Sequence, residues 1–202
     1  MILNELDRFS EGEPILESDF EVTSKNYLRQ ELKKLTDEGI LIRVKNGVYY
    51  KAYKTILGTN GSMSIDKYLN KLYLNDETNG FFTGLMIANK YGFTSQNSAV
   101  IEISTNKATT KQRRLNIDGY KIIIYKPVTT INEQNKSALT FLDLMAVIDK
   151  YCELDKDEYR NQLRKFVTET NVDFEMVKKY ISLYPTIVYK NIYEGGLMNE
   201  LL

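Results

Sequence analysis

VTSKNYLRQELKKLTDEGILIRVKNGVYYKA, residues 22–52, is the stretch on which the reading of this chain turns. Leu28, Leu32 and Leu35 fall at i, i+4 and i+7, so they form one apolar stripe of an amphipathic helix, with Lys25, Asn26, Arg29, Gln30, Lys33 and Lys34 mostly off it. Asp37, Glu38 and Gly39 break that helix, and glycine suits the left-handed residue that often ends one. Ile40, Ile42 and Val44 then alternate with Leu41, Arg43 and Lys45. After Asn46-Gly47, Val48, Tyr50 and Ala52 alternate with Tyr49, Lys51 and Tyr53. Asn-Gly between two alternating runs is a strong hairpin signal.

A basic helix feeding straight into a short basic hairpin is the order of a winged helix-turn-helix, recognition helix and then wing. In such a module the recognition helix enters the major groove and offers its exposed side chains to base edges. Arginine can hold guanine O6 and N7 with two hydrogen bonds, and asparagine or glutamine can do the same for adenine N6 and N7. The expected DNA-binding set is therefore Lys25, Asn26, Arg29, Gln30 and Lys33 on the helix, with Arg43, Lys45 and Lys51 on the hairpin. A solvated polar face is the plainer alternative for any one of these elements. The charge partition favours the DNA reading.

The net charge of zero conceals blocks of opposite sign. Residues 1–21 hold seven acids against Arg8, whereas residues 22–57 hold eight bases against three acids. A second basic stretch, residues 105–126, has six bases against Asp118. Such blocks give an oriented field that turns one surface toward a polyanion. The acidic opening is expected to face away from DNA, packing as scaffold behind the leucine stripe through Ile2, Leu3, Leu6 and Phe9 and through a brief helix or turn at 15–20.

Beyond the hairpin, Gly58, Asn60, Gly61 and Ser62 read as a linker, which separates a DNA-binding domain over 1–57 from a mixed domain over 63–202. Ser64 caps a helix carrying Ile65, Tyr68, Leu69 and Leu72, and residues 75–80 read as a loop. A short helix is expected over 83–91, stopped by Gly92, with strands at 99–104 (AVIEIS) and 120–125 (YKIIIY). From residue 137 the chain is helical, with Leu139, Leu142, Met145 and Ile148 on one stripe, then Leu163, Phe166 and Val167, then Phe174, Val177 and Ile181. The fold class is α+β: a winged helix-turn-helix, then a small sheet with a helical C-terminal part.

With 43% hydrophobic residues in 202, the chain can bury a core. It shows no apolar run of about 18 residues and no leader, so a cytoplasmic protein without membrane contact is expected. A single cysteine, Cys152, allows no internal disulfide, and the absence of histidine removes the common zinc sites and the usual general base. Gly61-Ser62 resembles the opening of a nucleotidyltransferase site, but the paired acids Asp155 and Asp157 stand too far along the chain to serve it. No Walker-type or dinucleotide-binding glycine motif occurs. No catalytic residue, metal or cofactor is expected. Lys107, Lys111, Arg113 and Arg114, read as a basic loop between strands, are the candidates for binding phosphates.

Two patches of sequence carry a family resemblance. Leu32, Leu35, Gly39, Ile40, Arg43, Gly47, Val48, Tyr49 and Tyr50 form one; Gly80, Phe81, Thr83, Gly84, Tyr91, Gly92, Phe93, Thr94, Gln96 and residues 101–106 form the other. Together, in this order, the chain resembles the AbiEi-type antitoxins of bacterial type IV toxin–antitoxin, or abortive infection, systems. Phe93 stands where that family commonly has leucine. The resemblance implies a bifunctional protein. Its N-terminal domain would bind double-stranded operator DNA and repress its own operon. Its second domain would counteract a nucleotidyltransferase toxin without a stable complex, and Lys107, Lys111, Arg113 and Arg114 are the candidate antagonising residues. The alternative is a stand-alone winged-helix regulator whose second domain dimerises or senses an effector.

Overall fold

The structure, a computed structural model, describes residues 2–74 and 79–201, and the loop expected from residue 75 lies outside the described residues over 75–78. The chain is α+β and divides into two compact units, Met1–Leu72 with Asn116–Tyr120, and Tyr73–Leu115 with Lys121–Leu202. The division therefore falls after Leu72, not within the 58–62 stretch expected as a linker. Hydrogen bonds account for this. Tyr50 donates to Gly61 O at 3.1 Å, Tyr53 donates to Ser62 O at 2.9 Å, and Ser64 N donates to Gly12 O at 2.7 Å. The stretch is thus held to the first unit.

In that unit, helix α1 (Ile2–Glu5) runs into a 3-10 turn, Leu6–Arg8, and buries Ile2 and Leu6. Strand β1 (Ile15–Leu16) and a 3-10 turn, Glu17–Asp19, lead to α2 (Lys25–Asp37), whose first turn is capped by the Ser24 hydroxyl accepting from Tyr27 N. Leu28, Leu32 and Leu35 are buried with Ile2, Leu6, Phe9, Ile15, Phe20, Leu41 and Tyr49 in one cluster. The helix ends as its sequence requires: Gly39 takes φ +74°, Ile40 N bonds Leu35 O at 2.9 Å, and Gly39 N bonds Thr36 O at 3.0 Å, a Schellman closure.

Strands β2 (Leu41–Lys45) and β3 (Val48–Lys51) form the expected hairpin, with Arg43 opposite Tyr49 and a bulge between Arg43 and Lys45. β1 adds to the far side of β3, giving the order β1-β3-β2. Residues 15–20 therefore hold the expected helical turn at Glu17–Asp19, preceded by a short strand at Ile15–Leu16 that the sequence did not suggest. Helix α3 (Ile65–Leu69), capped by Ser64, passes into a π-helical turn, Asn70–Leu74, and Lys71 donates to Pro14 O at 2.9 Å and Asp19 Oδ2 at 2.6 Å.

The second sheet has the order β4-β5-β7-β6, from β4 (Gly80–Phe82), β5 (Val100–Thr105), β6 (Gln112–Ile117) and β7 (Tyr120–Tyr125). β5 and β7 pair in parallel, so the β6 edge strand intervenes in sequence but not in space. β4 and β6 were not anticipated. Helices α4 (Gly84–Lys90), α5 (Lys136–Tyr151), α6 (Lys156–Thr170), α7 (Phe174–Tyr180) and α8 (Ile187–Glu194) complete the second unit. α5 buries Ala138, Leu139, Phe141, Leu142, Leu144, Met145 and Ile148, a wider band than the single expected stripe, because α4, α7 and α8 all pack on it.

Two carboxylates fasten this unit in opposite ways. Asp143 of α5 accepts from the Thr83 hydroxyl at 2.8 Å and the Tyr184 hydroxyl at 2.9 Å, tying the start of α4 to α5. Burial pushes its pKa up to about 6, against the lowering effect of those two bonds. Exposed Glu153 accepts from Ser95 N (2.7 Å), Ser95 Oγ (2.9 Å) and Gln96 Nε2 (2.8 Å), which hold its carboxyl down to about 2. Its own N–H donates to Phe93 O at 2.9 Å, so the 93–96 segment is strapped to the end of α5.

Two outcomes are expected. Gly80 faces backbone: an added Cβ would stand 2.6 Å from Ser104 O and 2.8 Å from Tyr73 O. Gly80→Ala should therefore destabilise the chain by roughly 1–3 kcal/mol, measured by urea unfolding. Asp143 titrates above the 3.8 of an ordinary aspartate, so between about pH 4 and pH 6 the folded chain retains a proton that the unfolded chain has lost. Its contribution to stability is then fullest below pH 4 and declines as pH rises through 6. Asp143→Asn should flatten that part of the stability–pH curve, and a wild-type curve that already lacks the decline would contradict the assignment.

Candidate nucleic-acid interface

Burial of the leucine stripe turns the opposite face of α2 outward, and Lys25, Asn26, Arg29, Gln30 and Lys33 are all exposed. Arg29 and Lys33, one turn apart, flank a cleft of about 590 Å³ between α2 and the β2–β3 turn, lined also by Glu17, Thr36, Asp37, Arg43, Asn46 and Tyr49. Arg43 reaches the turn itself and donates to the Asn46 side chain. Three cations from two separated stretches thus share one concave surface. Asn26 and Gln30, the amide side chains suited to adenine, lie on the adjoining exposed face of the helix.

Glu17 belongs to this cleft and was not expected there. Its Oε2 accepts from Arg29 Nε at 3.3 Å, and its backbone N donates to Gly47 O at 3.2 Å. The sequence placed the whole acidic opening away from DNA; pairing of Leu16 with Val48 instead carries the next residue to the hairpin turn. Tyr49 lies beneath the same cluster. Burial raises its phenol pKa, with Arg43 opposing and Glu17 reinforcing the shift, so the group is a neutral donor or acceptor at physiological pH.

The other hairpin lysines are placed differently. Lys45, beside the turn, is half-buried, and its Nζ stands 5.2 Å from the Tyr68 ring centroid in a cation–π contact. Lys51 pairs with Leu41 at the base of the hairpin and lines a groove with Leu3, Asn4, Leu6, Asp7, Ile40 and Ala52. Three residues of strand, about 10 Å, part it from the turn. The expected eight residues therefore resolve into a helix-and-turn cluster, which omits Lys51.

The second expected set is not a single loop. Arg113 and Arg114 are successive residues of β6 and project to opposite faces of the edge strand, while Lys107 and Lys111 precede it. Arg113 donates to the Tyr73 hydroxyl at 3.4 Å. All four bases are exposed. They lie at and just before one sheet edge.

The paired acids weighed for catalysis sit at a helix start. Asp155 caps α6, accepting from Asp157 N and Glu158 N at 2.9 Å, with Glu158 returning the bond. Cys152 is half-buried, and burial pushes its thiol pKa up, away from reactive thiolate. Among the described residues no cluster of three or more acidic, cysteine or histidine side chains could hold a metal ion. Among them also, no helix is long and apolar enough to cross a membrane.

No family model matches the chain, and no curated protein matches it. Among solved structures, the chain is similar to the crystal structure of RV2827C protein from Mycobacterium tuberculosis, with a TM-score of 0.52 and 11% identity over 98% of this chain and 77% of that one. At that identity the likeness speaks for the fold alone: a mixed α+β chain with helices and two small sheets.

Proposed function

We propose that the first unit is a winged helix-turn-helix that binds duplex DNA, and that the chain is an antitoxin and autoregulator of the AbiEi type. The observation that carries the DNA-binding half is the convergence of Arg29, Lys33 and Arg43 on one cleft between α2 and the hairpin turn. The order of elements supports it: helix, short strand, helical turn, α2 and hairpin, with β1 joined to β3. In this reading α2 is the recognition helix and the hairpin the wing. Arg29 reads guanine, Asn26 and Gln30 read adenine, and Lys25, Lys33 and Arg43 meet phosphates, contacts that position the protein without specifying sequence. Lys45 supports the wing from Tyr68, and Lys51 stands away from the phosphates.

The antitoxin half rests on the residues shared with that family in the second unit. Several of these have defined work here: Thr83 ties to Asp143, and Phe93 and Gln96 are held by Glu153. The reading assigns the antagonism of a nucleotidyltransferase to the second unit, with no stable complex and with DNA binding not required. A stand-alone regulator that senses an effector is the second reading. It is favoured by a pocket of about 370 Å³ lined by Ile148, Asp149, Cys152, Tyr159, Asn191 and Glu194.

Arg29→Ala should weaken binding to the upstream duplex by about 1–3 kcal/mol and relax base preference at one position, whereas Lys33→Ala should weaken binding to all sequences and lower the salt slope by about one. Fluorescence anisotropy across a salt series reads both. Unchanged binding when Arg29, Lys33 and Arg43 are all replaced by alanine contradicts the assignment. The same triple variant, co-expressed with a nucleotidyltransferase toxin of the abortive-infection type, should still protect cells. Loss of protection by the folded variant would show that the two activities are not separate.

A further inference from the structure

The Glu17 carboxylate, with Asp37, lines the cleft of Arg29, Lys33 and Arg43 that is proposed to meet a polyanion, an arrangement that costs affinity unless it does something else. Its placement is built rather than incidental. Strand β1 pairs Ile15 with Tyr49 and Leu16 with Val48, and the Glu17 N–H then bonds Gly47 O. A Cβ added to Gly47 would stand 3.7 Å from the Glu17 carboxyl carbon and Oε1, so the side chain lies along the turn. The Glu17 side chain is 28% exposed, against 61% for Arg29. Backbone anchoring thus holds Glu17 beside the hairpin turn.

The contact to Arg29 is one-sided. Glu17 Oε2 takes the Nε edge of the guanidinium at 3.3 Å. A guanidinium has five N–H donors in a rigid plane, so holding the Nε edge fixes that plane while the terminal nitrogens stay available for bidentate recognition of guanine O6 and N7. The same carboxylate repels phosphate oxygens, which could otherwise take the guanidinium as a bidentate partner themselves. On the reading that the cleft binds DNA, we propose that Glu17 is a specificity-determining positioning residue: it orients Arg29 for guanine and penalises DNA that offers the cleft only phosphate charge.

An exposed ion pair is worth little by itself. The effect is therefore expected in discrimination between sequences rather than in stability. Glu17→Gln keeps the side-chain volume and the backbone bond to Gly47, and removes the charge. The test uses the full chain with a duplex selected from a random pool by the wild-type protein, and the same duplex with its guanines replaced one at a time. Glu17→Gln should tighten binding to a shuffled duplex about five-fold, steepen its salt slope by about one, and lower the ratio of selected to guanine-replaced affinity. Once Arg29 is alanine, Glu17→Gln should no longer change that ratio, a dependence that a merely structural or merely charge-repelling role would not produce. Glu17→Asp keeps the charge on a shorter side chain, so it should retain weak binding to the shuffled duplex while losing guanine discrimination. A wild-type chain that binds no duplex overturns the DNA-binding reading and this inference with it. A wild type that binds, with a ratio that Glu17→Gln leaves unchanged, overturns this inference alone.

Discussion

Leu28, Leu32 and Leu35 sink into a cluster built largely from the acidic N-terminal segment, and their burial fixes the rotation of α2 about its own axis. Each buried leucine is worth about 1.5–3 kcal/mol. Exposed charge pairs on the same helix, such as Lys34 with Glu38 at 4.0 Å, are worth a fraction of that. The apolar stripe therefore decides which way the helix faces, and at 3.6 residues per turn Asn26, Gln30 and Lys33 follow outward without any further instruction. The position of the hairpin depends on the same packing, since Leu41 and Tyr49 belong to that cluster.

The acidic segment does two kinds of work. Ile2, Leu6, Phe9, Ile15 and Phe20 make it a scaffold, while its carboxylates are distributed individually. Asp19 meets Lys71 at 2.6 Å, with a further bond to Leu16 N at 2.7 Å. Glu17 is drawn to the cleft by one strand pairing. A net charge for the segment is thus a poor guide to where each acid stands, because backbone hydrogen bonds place the side chains and the field acts afterwards.

In the second unit α5 has the organising part, since three helices cover it and leave it apolar on most sides. Asp143 and Glu153, ten residues apart in sequence, acquire opposite proton affinities from their surroundings. Burial dominates for Asp143, and three hydrogen bonds to an exposed carboxylate dominate for Glu153. Both hold down segments on which the proposed antitoxin reading draws, around Thr83 and around residues 93–96. Those residue types are therefore explained by packing and hydrogen bonding before any partner is invoked.

Sequence by itself determined the elements whose signals are local: the α2 stripe with its glycine stop, the Asn-Gly hairpin, the β-branched strands β5 and β7, and the helices from residue 137. Their hydrophobic period, capping and turn chemistry act within a few residues, so they are legible without the fold. Tertiary structure alone decided the rest. β1 is two residues long and too short to show a period, β4 holds a glycine, and β6 is a polar edge strand. β1 and β4 exist because a distant strand offers its unpaired N–H and C=O groups, whereas β6 is completed by β7 across the two-residue turn Asp118-Gly119. Non-local pairing brought Glu17 against Arg29, while strand alternation set Arg113 and Arg114 on opposite faces and the hairpin register left Lys51 at its base. The candidate residues were legible as residue types; which of them share a surface was not, because strand register is fixed by partners far away in the chain.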